Sequence, residues 1–124
     1  MDSLIIKPTE LLPAISLNEK TGQFVFYGKS LPEDGKVFYT PVVRWIEEYS
    51  HAPAVRTQCS FKMEYFNSSS GKCFADIFKI FDSIREKGHV VTIIWNYDEE
   101  DEEMKEMGEH FQSIYKLDFQ FRAY

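Results

Sequence analysis

The sequence predicts an α/β domain built on one mixed β-sheet, and two observations support this fold class. Short segments with strand patterns, either alternating or continuously apolar, are interspersed with longer segments whose apolar residues recur every three or four positions. Their order is three strands and a helix, followed by strand, helix, strand, helix and strand. Strands separated by helices pair in parallel through right-handed crossovers, whereas closely spaced strands form antiparallel hairpins. The length of 124 residues fits a single domain, residues 1–124.

The N-terminal part of the chain predicts three short strands, at residues 4–7, 14–17 and 23–27. The last two are joined by the turn-rich segment 18–22, which favours a hairpin. These strands should form the antiparallel part of the sheet.

The first helix is predicted at residues 36–50. Pro41 lacks a backbone N–H, so it should either kink this helix or begin its main segment. The aromatic residues of the helix are compatible both with the core and with a partner-binding groove. The apolar face comprises Val37, Phe38, Pro41, Val42, Trp45, Ile46 and Tyr49.

The centre of the chain predicts a strand over residues 55–66 and a helix over residues 69–87. Apolar and polar residues alternate in the strand, which indicates one buried face; that face comprises Cys59, Phe61, Met63 and Tyr65. The helix carries an apolar stripe and should end at Gly88; the stripe comprises Phe74, Ile77, Phe78, Phe81 and Ile84.

The C-terminal part predicts a strand, a helix and a last strand. The continuously apolar run in residues 90–96 indicates a central strand that is covered on both faces. The acidic run Asp98–Glu103 opens the third helix, and residues 116–124 alternate as an edge strand would. The helix's inner face is predicted to contain Met104, Met107, Gly108, Phe111, and Ile114 or Tyr115.

Charge and composition exclude several functional classes. The net charge is −6, and the six acidic residues Asp98–Glu103 account for it, since the other 14 acids balance 14 basic residues. No basic stripe is present, so the sequence argues against nucleic-acid binding. No apolar run reaches the length of about 20 residues that a membrane helix needs. The N-terminus does not resemble a secretory signal, and Cys59 and Cys73 fall on apolar positions, so we expect a cytoplasmic protein with buried thiols.

The segment Asn67–Ser70 lies where the central strand meets the second helix. Asn and Ser are ordinary helix N-cap residues, so capping is the simplest interpretation of this segment. The same position also suits a phosphate, because unpaired N–H groups and the positive end of the helix dipole converge there. We call this segment the serine joint.

The acidic run leaves the next parallel strand at the same edge of the sheet as the serine joint. If the two strands are neighbours, a phosphate on the joint would come close to several carboxylates. The run can serve simply as a solvated first helical turn, or it can contact a partner or a kinase. A metal site is not expected, because consecutive helical acids point in different directions.

The residues Tyr65–Ser70, the helix behind them and the later segment Trp95–Asp101 together resemble the SiaC family of bacterial regulatory phosphoproteins. That family resembles the STAS domains of anti-sigma-factor antagonists in architecture. The resemblance implies phosphorylation of a hydroxyl that follows Asn67, and hence of Ser68, with Ser69 and Ser70 as its surroundings. Members of the family carry a phosphorylatable Thr or Ser after this Asn, and Ser68 departs from the members that have Thr. The partner contacts expected from the two motifs are Tyr65, Phe66, Tyr97, Asp98, Glu99, Glu100 and Asp101.

The resemblance further implies a function without catalysis or a cofactor. A SiaB-type kinase and a SiaA-type phosphatase would set the phosphorylation state. The unphosphorylated protein would bind and activate a SiaD-type diguanylate cyclase, raising cyclic di-GMP and favouring biofilm growth or aggregation.

Two alternatives to this function remain. One is an anti-sigma-antagonist type of partner switch with another client. The other is a small enzyme, for which the sequence shows no P-loop and no visible arrangement of Ser or Cys with His51, His89 or His110.

Overall fold

The computed structural model describes all 124 residues and contains every predicted element. The strands are β1 Leu4–Ile6, β2 Ala14–Asn18, β3 Gln23–Ser30, β4 Arg56–Phe66, β5 Val90–Tyr97 and β6 Asp118–Ala123. The helices are α1 Gly35–Tyr49, α2 Ser68–Glu86 and α3 Glu102–Ile114. The predicted α/β class, with a mixed sheet, an N-terminal hairpin and three helices, is confirmed.

The six strands lie in the sheet in the order in which they occur in the chain. β1, β2 and β3 pair antiparallel, whereas β3, β4, β5 and β6 pair in parallel. β6 is an edge strand, as predicted. Each of the helices α1, α2 and α3 connects a parallel strand to the next strand of the sheet, always in the same direction across the sheet. Because such crossovers are right-handed, all three helices lie on one face of the sheet. One core therefore lies between the helices and that face.

The opposite face of the sheet has no covering layer, which corrects the prediction for β5. In β5, residues that face the helices are buried, whereas Val90, Thr92 and Asn96 are wholly or partly exposed. Ile94 is buried on the open face between Ser60 of β4 and Gln120 of β6. Continuous apolarity predicted two covered faces, but the topology places every helix on one side.

A β-bulge near the end of β4 changes which of its side chains is buried. Gly28 pairs with Met63, but the next pair is Lys29 with Tyr65, so Glu64 is an extra residue. Gly28 has φ +104°, a conformation that glycine adopts without a steric penalty. The bulge leaves Tyr65 54% exposed and makes Phe66 5% exposed, so the predicted burial of Tyr65 is wrong.

The helices bury the predicted stripes with a few exceptions. In α1 the buried residues include Tyr39, Val42, Ile46 and Tyr49, whereas Val37 and Pro41 are exposed. Pro41 lies inside a continuous helix. The remaining aromatic residues of α1, Phe38 and Trp45, pack against the core, which favours the core interpretation over a partner groove. In α3 Met104, Gly108 and Phe111 are buried, whereas Met107 and Ile114 face solvent.

Candidate functional site

Asn67 fixes the serine joint through both its backbone and its side chain. It is the N-cap of α2, and its Oδ1 accepts a hydrogen bond from the backbone N–H of Ser70 at 3.0 Å. Its amide group donates to the carbonyl of Pro32 at 3.1 Å, and its backbone N–H donates to the carbonyl of Ser30 at 3.1 Å. The start of α2 is thus tied to the segment that leaves β3.

The three serines that follow Asn67 have different environments. Ser70 is fully buried, and its hydroxyl lies 2.9 Å from Asn67 Oδ1. Ser69 is half-buried and its hydroxyl donates to the same oxygen at 3.0 Å. Ser68 is exposed, and its hydroxyl has no hydrogen-bond partner within the protein. Of the three hydroxyls, the one on Ser68 is accessible to another macromolecule.

A chain of buried hydroxyls extends from the joint into the core. The hydroxyl of Ser30 lies 2.7 Å from that of Ser70 and 2.6 Å from that of Tyr39. Either hydroxyl can be the donor in these two contacts, and the hydroxyl of Ser70 can donate to Asn67 Oδ1 or to the Ser30 carbonyl, which lies 3.2 Å away. Burial raises the pKa of Tyr39 to about 12. The chain links α1, β3 and α2 beneath the exposed Ser68.

The first turn of α1 lies directly against the serine joint. A Cβ placed on Gly35, the first residue of α1, would lie 2.7 Å from Ser69 Oγ and 3.0 Å from the Ser69 carbonyl carbon. Any larger residue at this position would have to displace the backbone of the joint. Neither Gly35 nor Ser30 was among the sequence candidates. The one available signal was the pattern Asp34-Gly35, a cap residue followed by glycine.

The acidic run lies at the same edge of the sheet, because β4 and β5 are neighbouring parallel strands as expected. Its side chains nevertheless line a cavity that the serines of the joint do not share. A cavity of about 500 Å³ is lined by Met63, Glu64, Asp98, Glu100, Asp101 and Tyr124. Burial, together with the carboxylates of Asp98 and Glu64, raises the pKa of Tyr124. The serine joint does not contribute to this cavity.

Within the acidic run, only part is helical. Asp98 Oδ1 accepts from the backbone N–H of Glu100 at 2.9 Å and so closes a turn. Asp101 is the N-cap of α3, and its Oδ1 accepts from the backbone N–H of Met104 at 3.0 Å. Glu102 and Glu103 form the first helical turn, where the helix dipole favours acids. Asp98 and Asp101 therefore have a local structural role.

The predicted partner-contact residues differ in accessibility. Tyr65, Asp98, Glu99 and Glu100 are exposed, whereas Asp101 and Tyr97 are half-buried. Phe66 is buried in the core, where its ring lies 5.0 Å from that of Phe74. A side chain in that position packs in the core and exposes little surface, so its burial does not support the partner contact expected of Phe66, which stays a prediction.

Two further findings concern the types of site that the chain can form. No group of three or more His, Cys, Asp or Glu side chains is arranged to hold a metal ion. None of the helices combines the length and the apolarity required to cross a bilayer.

Comparisons with known proteins identify relatives over the whole length of the chain. The crystal structure of apo-SiaC from Pseudomonas aeruginosa superposes with a TM-score of 0.92 and 26% identity, covering 99% of this chain and 100% of that one. The SiaC in a crystal structure of the diguanylate cyclase SiaD with its activator SiaC, also from Pseudomonas aeruginosa, gives a TM-score of 0.90 and 27% identity, covering 98% of this chain and 99% of that one.

An uncharacterized protein of Pseudomonas aeruginosa strain UCBPP-PA14 is 27% identical over 124 residues, which span 100% of this chain and 98% of the relative. The family model for SiaC family regulatory phosphoproteins matches residues 6–124. The chain therefore belongs to the SiaC family of regulatory phosphoproteins.

Proposed function

We propose that this chain is a non-enzymatic cytoplasmic signalling protein whose residues 1–124 act as one regulatory domain. In its unphosphorylated form it binds and activates a SiaD-type diguanylate cyclase. A SiaB-type kinase phosphorylates Ser68 and thereby prevents binding, and a SiaA-type phosphatase reverses the modification. Membership of the SiaC family supports the regulatory role, and the likeness to SiaC solved with SiaD supports the type of client.

The exposure of Ser68 is the observation that carries this proposal. A kinase must reach its acceptor hydroxyl, and the neighbouring hydroxyls of Ser69 and Ser70 are engaged with Asn67. Ser70 is fully buried as well. Phosphorylation of Ser68 therefore requires no unfolding of α2, whereas phosphorylation of Ser70 would break a buried network.

The effect of phosphate on binding follows from its charge. A neutral hydroxyl enters an interface at modest cost, but a phosphate brings about −1.5 to −2 charges that must be desolvated. The carboxylates of the acidic run lie at the same edge of the sheet and add to the negative potential there. An unpaired charge buried in an interface costs about 2–5 kcal/mol, which corresponds to a loss of about 30- to 4,000-fold in affinity.

The test is calorimetric titration of the SiaD-type cyclase of the same organism against unmodified and Ser68-phosphorylated protein, with phosphopeptide mapping to locate the modification. We expect Ser68→Ala to retain binding after kinase treatment, and Ser68→Asp to weaken binding less than phosphate does. Ser69→Ala is the matched control and should still be phosphorylated and released.

Two results would refute this function. Phosphate found on Ser69, Ser70 or a distant loop, and none on Ser68, would overturn the acceptor assignment. Equal affinity of the phosphorylated and unmodified forms would overturn the switch even if Ser68 were the acceptor. A wild-type protein that captures an anti-sigma factor and no cyclase would favour the alternative partner switch.

A further inference from the structure

Two loops beside the serine joint form an apolar ledge. One loop follows β1 and the other follows β3, and they are joined by a hydrogen bond from the Leu31 backbone N–H to the Leu11 carbonyl at 2.8 Å. They enclose an open cavity of about 420 Å³. We call this surface the Leu11 ledge; its lining residues are Thr9, Glu10, Leu11, Leu12, Leu31, Pro32 and Glu33.

The ledge is fixed relative to the phosphate acceptor. The amide group of Asn67 donates to the carbonyl of Pro32, which is part of the ledge, and Ser68 is the next residue along the chain. The backbone N–H of Asn67 also bonds the carbonyl of Ser30, the residue before Leu31. The ledge is therefore bonded directly to the residue that precedes Ser68.

The ledge exposes apolar surface that the fold itself does not cover. Leu11 is 54% exposed, and Leu12 and Leu31 are partly exposed. Val37, in the turn of α1 that lies against the joint, is 71% exposed, and Tyr65, before Asn67, is exposed too. Exposed apolar side chains therefore occur on the ledge, on the first turn of α1 and at the end of β4, and such side chains are typical of the central part of protein–protein interfaces.

The acidic side chains at the rim of the Leu11 ledge indicate which kind of partner segment would fit it. Glu10 and Glu33 line the cavity and are exposed. A second copy of this chain that docked symmetrically through the ledge would bring Glu10 and Glu33 close to the same two residues, so like charges would meet. A segment that carries an aliphatic side chain next to Lys or Arg would instead match both the apolar floor and the acidic rim.

We propose that the Leu11 ledge receives such a segment of the client protein. This inference rests on the proposed function, and it adds a specific contact surface and the chemistry of the partner segment. It also explains why modification of Ser68 would act on binding: the phosphate would stand beside the docked side chain.

Leu11→Ser tests the ledge by removing its most exposed apolar side chain. In titration against the SiaD-type cyclase, we expect the affinity of this variant to fall by about tenfold or more, while phosphorylation of Ser68 by the SiaB-type kinase continues. The matched control is Val55→Ser, because Val55 is 78% exposed and precedes β4 at the opposite end of the sheet. This control should bind with wild-type affinity.

The double variant Glu10→Gln/Glu33→Gln tests the charged part of the partner. It should lower the affinity a few-fold at low salt and reduce the dependence of affinity on ionic strength. Thermal melts of all variants establish that each is folded.

The outcomes separate the two proposals. Wild-type affinity of a folded Leu11→Ser variant, with binding still blocked by phospho-Ser68, would overturn the ledge and leave the proposed function intact. A wild-type protein that does not bind the cyclase at all would overturn both. An equal loss of affinity in Leu11→Ser and Val55→Ser would also overturn the ledge.

Discussion

At the scale of single residues, the three consecutive serines of the joint differ in burial and in their contacts. Ser70 belongs to the buried hydroxyl chain with Ser30 and Tyr39. Ser69 packs against Gly35 at the start of α1. Ser68 is exposed, and its hydroxyl makes no hydrogen bond within the protein. The difference arises because successive helical residues point about 100° apart, so one faces the core while another faces solvent.

Replacement of Ser70 should cost more stability than replacement of Ser68. Ser70→Ala removes a buried hydroxyl and leaves Ser30 without one of its partners, so we expect a loss of about 1–3 kcal/mol in the free energy of unfolding. Ser68→Ala should change it by less than about 0.5 kcal/mol. Urea unfolding of both variants checks this prediction, and equal losses would show that the buried chain contributes little.

The buried hydroxyl of Tyr39 predicts an alkaline loss of stability. Its pKa is raised to about 12 by burial, whereas an unfolded tyrosine titrates near about 10. Because the folded state holds the proton more tightly, this contribution is complete below about pH 10 and is lost as the pH rises towards about 12.

The measurement is urea unfolding of wild type and Tyr39→Phe between about pH 8 and pH 11.5, compared with exposed Tyr65→Phe as the control. The stability difference between wild type and Tyr39→Phe should shrink above about pH 10, because only wild type loses this contribution. A difference that stays constant over this range would contradict the burial argument.

At the scale of elements, each helix is held at its N-terminus by a cap and against its neighbour by a close contact. Asp34, Asn67 and Asp101 cap α1, α2 and α3, each through a hydrogen bond to a backbone N–H three residues on. α3 approaches β5 closely because Gly108 lies on the indole of Trp95. The caps fix where the helices begin, and hence the positions of the serine joint and the acidic run, each of which spans the start of a helix.

Gly108→Ala should destabilise the protein although alanine has the higher helix propensity. The added Cβ would lie 2.5 Å from Trp95 Cδ1, so α3 would have to move away from the sheet. We expect a loss of about 1–3 kcal/mol, with a change in tryptophan fluorescence as the bond from Trp95 Nε1 to the Met104 carbonyl is disturbed. Met107→Ala, on the exposed side of α3, should be nearly neutral; a stabilised Gly108→Ala would refute the packing argument.

The acidic run should separate into capping and non-capping positions. Asp101→Ala removes the N-cap of α3 and should cost about 0.5–2 kcal/mol, whereas Glu99→Gln/Glu100→Gln should cost less than about 1 kcal/mol. We expect the double variant to alter the affinity for the kinase or the cyclase more than it alters stability. Urea unfolding and binding titrations on the same samples test this prediction. Unchanged affinity for both partners would show that the acidic run is only a solvated helix start.

At the scale of the whole molecule, the sequential strand order places the three candidate functional features at one edge. The parallel strands β3, β4 and β5 end beside one another, and the Leu11 ledge, the serine joint and the acidic run follow from that edge. The three helices cover the same face of the sheet, so α1 and α2 begin side by side. One binding event at this edge can therefore be affected by all three features.

Phosphorylation of Ser68 should leave the fold intact. The modified side chain would be exposed at the positive end of the α2 dipole, which favours a negative charge by about 0.3–1 kcal/mol. We expect the free energy of unfolding of the phosphorylated form to equal that of the unmodified form or to exceed it by up to about 1 kcal/mol. Urea unfolding of the two forms tests this, and a clear loss of stability would mean that phosphate acts by unfolding α2.

The sequence by itself determined the elements, their order and the position of the serine joint. Periodicity records which side chains of a helix or strand are buried, and capping residues mark where α2 and α3 begin. The motif at Asn67–Ser70 and the segment ending at Asp101 carried the family resemblance that the comparisons confirm.

Only the tertiary structure decided which side chains are accessible around that joint. The bulge at Glu64 exposes Tyr65 and buries Phe66, and the open sheet face leaves β5 with a single covered side. The contact of Gly35 with Ser69 and the bond between Leu31 and Leu11 join residues that are distant in the chain. Periodicity describes neighbours along one element, whereas these features depend on strand register and on the side of the sheet that each crossover takes.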